Sequence, residues 1–327
     1  MRLLVLSQSD VRRALPMRDA VEAMKRAFAQ LSTGQAEVPL RVPLPVPRHN
    51  GLTLFMPAYL AADDQMAVKI VSVFNDNPAR SLPLIHALVV VIDAETGMPV
   101  AAMEGASLTA LRTGAASGAA TDLLARPDAA VVAVFGAGAQ GRTQLEGVCA
   151  VRPIREARVY DVDPRRAREY AQEMQDRLGI PVRIAASPAE AVRQADVVCT
   201  ATTSSTPVLD DADIGPGTHI NAIGAYTPQM REVPTETVLR ARVVVDHRAA
   251  SLAEAGDLLI PIREGRMTEG HIWAELGEIA AGLKPGRTSP EEVTLFKSVG
   301  VAVQDVAAAA AVLEAARRQN LGVEVSL

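Results

Sequence analysis

Cysteine is nearly missing: Cys149 and Cys199 are the two in 327 residues. Each lies in an apolar stretch with no spacing suited to zinc or to a disulfide framework, so the chain reads as a protein of the reducing cytoplasm with no metal site. Charge of one sign is lacking too. The 33 Lys plus Arg stand against 38 Asp plus Glu, a formal charge of -5, and no run of basic residues occurs. That excludes a surface built to hold a phosphate backbone, and with it a nucleic-acid partner. No apolar run approaches the roughly 18 residues of a membrane helix, and the apolar part of MRLLVLSQSD is too short for a signal sequence, so no membrane partner is expected. The five histidines, His49, His86, His219, His247 and His271, form no HExxH or H-x-H pair, and no G-x-S-x-G elbow is present. His86, inside LPLIHALVVV, reads as a core or sheet-face residue. Aromatics make up only 3% of a chain that is 49% hydrophobic. Small and β-branched side chains must therefore build the core, which suits helices laid on parallel strands.

The chain is long enough for two domains. Pro16 suits a first helical turn, Ala20, Met24, Phe28 and Leu31 recur at helical spacing, and Gly34 follows as a stop. From residue 38 to 103 the texture changes to short β-rich runs, separated by turn-formers such as His49-Asn50-Gly51 and Ala94-Glu95-Thr96-Gly97, which predicts an antiparallel meander. A small-residue helix over 107–124 leads to Arg126-Pro127-Asp128. Beyond it the strand-like segments 131–135, 157–160, 181–184, 196–202, 219–224 and 242–246 alternate with helical or loop stretches. That alternation predicts a doubly wound parallel sheet. An Ala-rich helix after Gly300 and the terminal segment GVEVSL complete the chain, and the terminal strand is expected to pair with the N-terminal sheet. The expected fold is thus α/β, with a discontinuous α+β domain (1–120 and 300–327) interrupted by a Rossmann domain (121–299).

Directly after VVAVF comes Gly136-Ala-Gly138-Ala139-Gln140-Gly141, opening a helix. The first glycine permits the tight turn, the second lets a pyrophosphate approach the backbone, and the third allows close packing, while the helix N-terminus faces the anion. Asp161, about 20 residues on at the end of ARVYD, is placed to accept hydrogen bonds from a ribose. A carboxylate there repels a 2′-phosphate and favours NAD(H). Arg165 and Arg166 follow closely and counter that repulsion, which leaves NADP(H) open; both also fit the first turns of a solvated helix. Thr202, at the end of DVVCTAT, completes the cofactor contacts on this side.

Three basic residues stand among apolar or small neighbours. Arg41 interrupts VPLRVPLP, Lys69 interrupts AVKIVSV, and Arg112 sits in SLTALRTGAASGAAT. On a strand Lys69 shares a face with Ala67, Val71 and Val73, so its ammonium either reaches a sheet edge or is desolvated in a cleft. Desolvation lowers the pKa and suits proton transfer. Arg112 is placed to clamp a carboxylate through two hydrogen bonds. Structural salt bridges and a snorkelling lysine are the plainer alternatives.

GLTLFMPAYL, AVKIVSVFNDNPARSLPLIHALVVVIDAETGMPVAAMEGASLTALRTGAASGAAT, VFGAGAQG and ELGEIAAGLKPGRTSPEEVTLFKSVGVAVQDVAAA together resemble the ornithine cyclodeaminase/mu-crystallin family across nearly the whole chain. The ordered blocks LTALRT, GAGAQG and GRT…FKSVG carry the specificity. The resemblance implies a substrate-binding domain that dimerises through its sheet, a Rossmann domain, and hydride transfer between nicotinamide and the α-carbon of an amino acid or its imine. It implies that Arg41 and Arg112 hold the α-carboxylate and that Lys69, the expected catalytic residue, lies near the α-nitrogen or a carbonyl oxygen. Ser298 and Tyr226 join the cofactor contacts. Where cyclodeaminases carry an aspartate after HINAIG, this chain has Gly224-Ala225-Tyr226, and tyrosine is uncharged at neutral pH. Reduction of a preformed ketimine, such as Δ1-pyrroline-2-carboxylate or Δ1-piperideine-2-carboxylate, by a homodimer is therefore expected. Ornithine or lysine cyclodeamination, alanine dehydrogenation and a non-enzymatic ligand-binding role like that of mu-crystallin are the alternatives.

Overall fold

The computed structural model describes residues 2–327. Its contacts divide the chain into two units, Met1–Arg112 with Ala302–Leu327, and Thr113–Val301. The helices in chain order are α1 (Gln8–Ala14), α2 (Met17–Ser32), α3 (Gly105–Leu124), α4 (Ala139–Val151), α5 (Pro164–Leu178), α6 (Pro188–Val192), α7 (Thr235–Arg240), α8 (Arg248–Glu254), α9 (Gly256–Arg263), α10 (Leu276–Ala280) and α11 (Ala302–Gln319). Pro16 caps α2 as its pattern requires, and Ala20, Met24 and Phe28 are buried along it. The division between the units falls inside α3.

In the first unit β1 (Arg2–Leu6), β2 (Ala36–Glu37), β3 (Val42–Val46), β4 (Gly51–Leu60), β5 (Gln65–Phe74), β6 (Ile85–Asp93) and β7 (Pro99–Glu104) form one sheet. Strands β4 to β7 run as the expected antiparallel meander. The turns on either side of β4 use residues that tolerate left-handed backbone: Asn50 before it has φ 46° and Asp64 after it φ 50°. At the turn from β6 to β7 the Asp93 carboxylate accepts the Thr96 amide at 2.8 Å. The sheet is mixed rather than purely antiparallel, because β1 lies parallel to β7. That strand is five residues at the extreme N-terminus, where no flanking periodicity announces it.

In the second unit β8 (Val131–Phe135), β9 (Glu156–Tyr160), β10 (Val182–Ile184), β11 (Val197–Thr200), β12 (His219–Ala222), β13 (Arg242–Val245), β14 (Ile272–Glu275) and β15 (Thr294–Lys297) form a second sheet. All its neighbours pair in parallel, in the order β10, β9, β8, β11, β12, β15, β13, β14. Both faces are covered. Val132 and Val134 join one apolar cluster with Leu145, Val148 and Tyr170, while Ala133 and Phe135 join another with Val198, Ile220 and Val243. A strand buried on both sides reads as a continuous apolar run, which is why VVAVF and VVCT stand out. The chain ends in β16 (Val323–Ser326), which pairs antiparallel with β1 and so belongs to the first sheet, as expected of a terminal strand.

The small residues of α3 also receive an explanation. A Cβ at Gly114 would lie 2.2 Å from the Thr143 carbonyl oxygen, and one at Gly147 on α4 would lie 2.1 Å from the Gly114 carbonyl oxygen. Two helices cross here backbone to backbone. Gly147→Ala tests this, because alanine gains about 1 kcal/mol of helix propensity over glycine, whereas overpacking a tight contact costs about 1–3 kcal/mol. A lowered urea midpoint is the expected result; a raised one would mean that the helices stand further apart.

Candidate functional site

The first unit concentrates charge in its interior. β5 is central, and Lys69 pairs across to Met56 on β4 and Val89 on β6, so its ammonium has no sheet edge to reach and is 3% exposed. The helix on that face, α11, presents Asp305, whose Oδ2 lies 2.7 Å from Lys69 Nζ. Asp305 Oδ1 accepts the Arg112 Nε–H at 3.0 Å, and Gln304 Oε1 accepts from Arg112 Nη1 at 2.6 Å. All four side chains are buried. Arg41 is half-buried and close enough for its charge to act on Lys69. Two of the three cations singled out in the sequence, Lys69 and Arg112, therefore share one carboxylate, and the third lies near enough to act on Lys69.

Protonation follows from this geometry. Burial pulls the Lys69 ammonium down most strongly; Asp305 pushes back, and Arg112 and Arg41 add to the depression, leaving it at about 8. Burial raises the Asp305 carboxyl, but Arg112 and Lys69 outweigh it and hold the group below the usual aspartate range. The cluster carries more positive than negative charge, as a site for an anion should. Asp305 was missed in the sequence, although it carried the same signal as Lys69 and Arg112: one charge alone in an Ala/Val segment.

The second unit holds the glycine-rich turn at the point where strand order reverses, between β8 and β11, where α/β sheets open a crevice at their carboxyl ends. A cleft of about 410 Å³ lies there, lined by Gly136, Gly138, Asp161, Arg166 and Thr202 among others. Gly136 has φ +97°. A Cβ at Gly141 would lie 2.0 Å from the Gly136 carbonyl oxygen, whereas one at Gly138 meets nothing within 4 Å. The first and third glycines are thus required by the protein itself, and the second faces open space. Gly138 is also the N-cap of α4 and supplies no side-chain cap, leaving the first-turn amides at Ala139, Gln140 and Gly141 for an anion. These residues fit a dinucleotide pyrophosphate.

Asp161 Oδ2 accepts the Ala137 amide at 2.8 Å and Oδ1 the Asp163 amide at 2.9 Å, so this carboxylate braces the glycine turn while retaining lone pairs toward the cleft. Ala139, Gln140 and Gly141 follow Gly138 in the first turn of α4 without lining the cleft, and three more expected contacts, Arg165, Tyr226 and Ser298, lie outside the lining as well. Arg165 is 75% exposed beside Glu169, Tyr226 is 48% exposed, and the buried Ser298 hydroxyl donates to Asp246 at 2.7 Å. Of the two arginines, Arg166 is the one that lines the cleft.

Residues 1–320 match the ornithine cyclodeaminase/mu-crystallin family. The Δ1-pyrroline-2-carboxylate reductase of Bacillus cereus is 37% identical over 321 residues, 98% of each chain. Among solved structures, the chain is similar to the Δ1-pyrroline-2-carboxylate reductase of Thermococcus litoralis in complex with NADH and L-proline. That match has 45% identity, a TM-score of 0.94, and coverage of 98% of this chain and 100% of the other. It is also similar to an archaeal alanine dehydrogenase dimer with bound NAD, at 36% identity, a TM-score of 0.93 and full coverage of both chains.

The cleft lining predicts which arginine governs tolerance of a 2′-phosphate. Arg166→Ala should raise the Michaelis constant for NADPH about tenfold, the loss of one charge-assisted contact, and that for NADH little. Arg165→Ala should change neither; steady-state kinetics with both nucleotides decides between them.

Proposed function

The chain belongs to the ornithine cyclodeaminase/mu-crystallin family, and from that membership and its buried cationic cluster we propose that it reduces a cyclic α-imino acid, of the Δ1-pyrroline-2-carboxylate class, to the L-amino acid with NADH. The observation that carries the reading is Lys69, held by Asp305 beside Arg112 in a dry layer. Relatives named for this activity, one of them bound to NADH and L-proline, support it.

The chemistry needs an anchor and a proton. Arg112 and Arg41 bind the substrate carboxylate. NADH, when bound at the glycine turn, supplies the hydride to the imine carbon. Lys69, at about 8, is largely protonated at neutral pH and gives its proton to the imine nitrogen, becoming the neutral amine, which solvent then recharges. An iminium accepts hydride more readily than a neutral imine, and Asp305 keeps the lysine cationic until the proton leaves. Cyclodeamination asks additionally for a base at the substrate amine, and Tyr226 stands where the family's aspartate is expected. Reduction of a preformed imine has no such requirement. We place the protein in the cytoplasm.

Purified protein mixed with NADH and Δ1-pyrroline-2-carboxylate should oxidise NADH with release of L-proline, while ornithine with NAD yields little proline or ammonia. Rates should fall as pH rises through about 8, when Lys69 loses its proton. Lys69→Met should lose about a hundredfold or more in kcat, as removal of a general acid does, and should lack that limb. No NADH oxidation with any cyclic imine, or an unchanged Lys69→Met variant, would overturn the reading.

The working unit is a homodimer formed through the sheet face opposite Lys69. Val42, Phe55, Ile70 and Leu88 stand in one register row across β3, β4, β5 and β6. Val42 is 57% and Leu88 43% exposed. Such an apolar row seeks a cover, and a related alanine dehydrogenase is described as a dimer. Light scattering should report twice the chain mass at micromolar concentration, and Leu88→Arg should shift it toward the single-chain mass; a wild-type monomer rejects the dimer.

A further inference from the structure

Glu232 lies between β12 and α7, belongs to no motif, and is 0% exposed. Its carboxylate collects five donors. Oε1 accepts the Thr202 amide at 2.6 Å and the Thr202 hydroxyl at 2.8 Å. Oε2 accepts the Thr200 hydroxyl at 3.0 Å, the Gly224 amide at 2.6 Å and the Ala225 amide at 3.2 Å. These donors sit at the carboxyl ends of the neighbouring strands β11 and β12. The backbone of Glu232 is fixed as well: Asp257 Oδ1 accepts the Glu232 amide at 2.7 Å and the Val233 amide at 3.0 Å, and Lys297 Nζ lies 2.9 Å from Asp257 Oδ2.

Two carboxylates and one ammonium, all 0% exposed, are a costly way to fill a core, since apolar side chains of similar volume often stabilise as well or better. What an apolar side chain does not offer is an acceptor for the strand-end amides. The two loops also approach too closely for a side chain between them, because a Cβ at Gly224 would lie 2.1 Å from the Thr202 carbonyl oxygen and 2.5 Å from Glu232 Oε1. Thr202 passes the constraint on: its hydroxyl oxygen accepts the Ser204 amide at 3.2 Å. Ala201, Thr202, Thr203 and Ser204 form one wall of the 410 Å³ cleft.

We infer that Glu232 is a positioning residue for the dinucleotide: its buried carboxylate ties the ends of β11 and β12 together and holds residues 201–204 as the wall against which the nucleotide binds. This rests on the proposed cofactor site. Glu232→Gln keeps the size but replaces one acceptor oxygen with an NH2 group, so one set of donors faces another donor whichever way the amide turns. The Kd for NADH, read from nicotinamide fluorescence, should rise about tenfold, with kcat at saturating NADH within about threefold of wild type.

Val238→Ala, a cavity on α7 that removes no hydrogen bond, serves as the stability control and should bind NADH normally despite a lowered Tm. Thr200→Val removes one donor to Glu232 from a residue outside the cleft lining. It should raise the Kd about threefold, which keeps the test available if Glu232→Gln fails to fold. Wild-type affinity in either Glu232→Gln or Thr200→Val, or an equal loss in Val238→Ala, overturns the positioning role. Failure of the wild-type protein to bind NADH would instead remove the cofactor reading on which it stands.

Discussion

Burying an ammonium and a guanidinium in the same apolar layer costs several kcal/mol per ion unless a counter-charge is buried with them, and the arrangement of the first unit follows from that constraint. Lys69 comes from a central strand and Arg112 from α3, and their shared partner Asp305 comes from α11. The carboxylate must arrive on a helix lying across the sheet, so α11 has to return to the first unit after the whole of the second has been built. Removing one member of such a triad leaves a buried charge uncompensated, which typically costs about 3–5 kcal/mol. Chemistry and stability are consequently hard to separate at these positions.

The second unit uses carboxylates in another way. Glu232 accepts backbone amides from the loops after β11 and β12, Asp161 braces the glycine turn after β8, and Asp246 accepts the Val299 and Gly300 amides at 2.9 and 2.8 Å in the segment after β15. Parallel strands all end on the same side, and the amides of their following loops need acceptors that the sheet itself does not supply. A carboxylate is the compact group that accepts several at once. The crevice thus owes its shape to acidic residues, of which only Asp161 also lines it.

This difference sets what was legible in the sequence. Strands buried on both faces announce themselves as apolar runs, and the glycine turn follows one of them, so the parallel sheet and its cleft could be read directly. β14 and β15 escaped, being four residues each and set among charged and turn-forming neighbours. Lys69, Arg112 and Arg41 were visible as charges in apolar surroundings, and Asp305 carried the same signal within a helix that invited reading as plain core. Glu232 carried none: in MREVPTETV it resembles any surface glutamate, and its burial is set by residues some 30 positions earlier. Arg165 and Arg166 could not be told apart by sequence, since only the turn of α5 decides which one reaches the cleft.

The pairing of β16 with β1 makes the second unit an insertion within the first, and this has a consequence for synthesis. In synthesis the whole of residues 113–301 precedes α11, so every strand of the second sheet is in the chain before the first unit receives its last helix. The first unit must meanwhile wait without α11 on its sheet and with Lys69 and Arg112 lacking their carboxylate. Only once residue 305 has been made does the desolvated layer gain its counter-charge, so the cationic site cannot mature before the whole second sheet is in the chain.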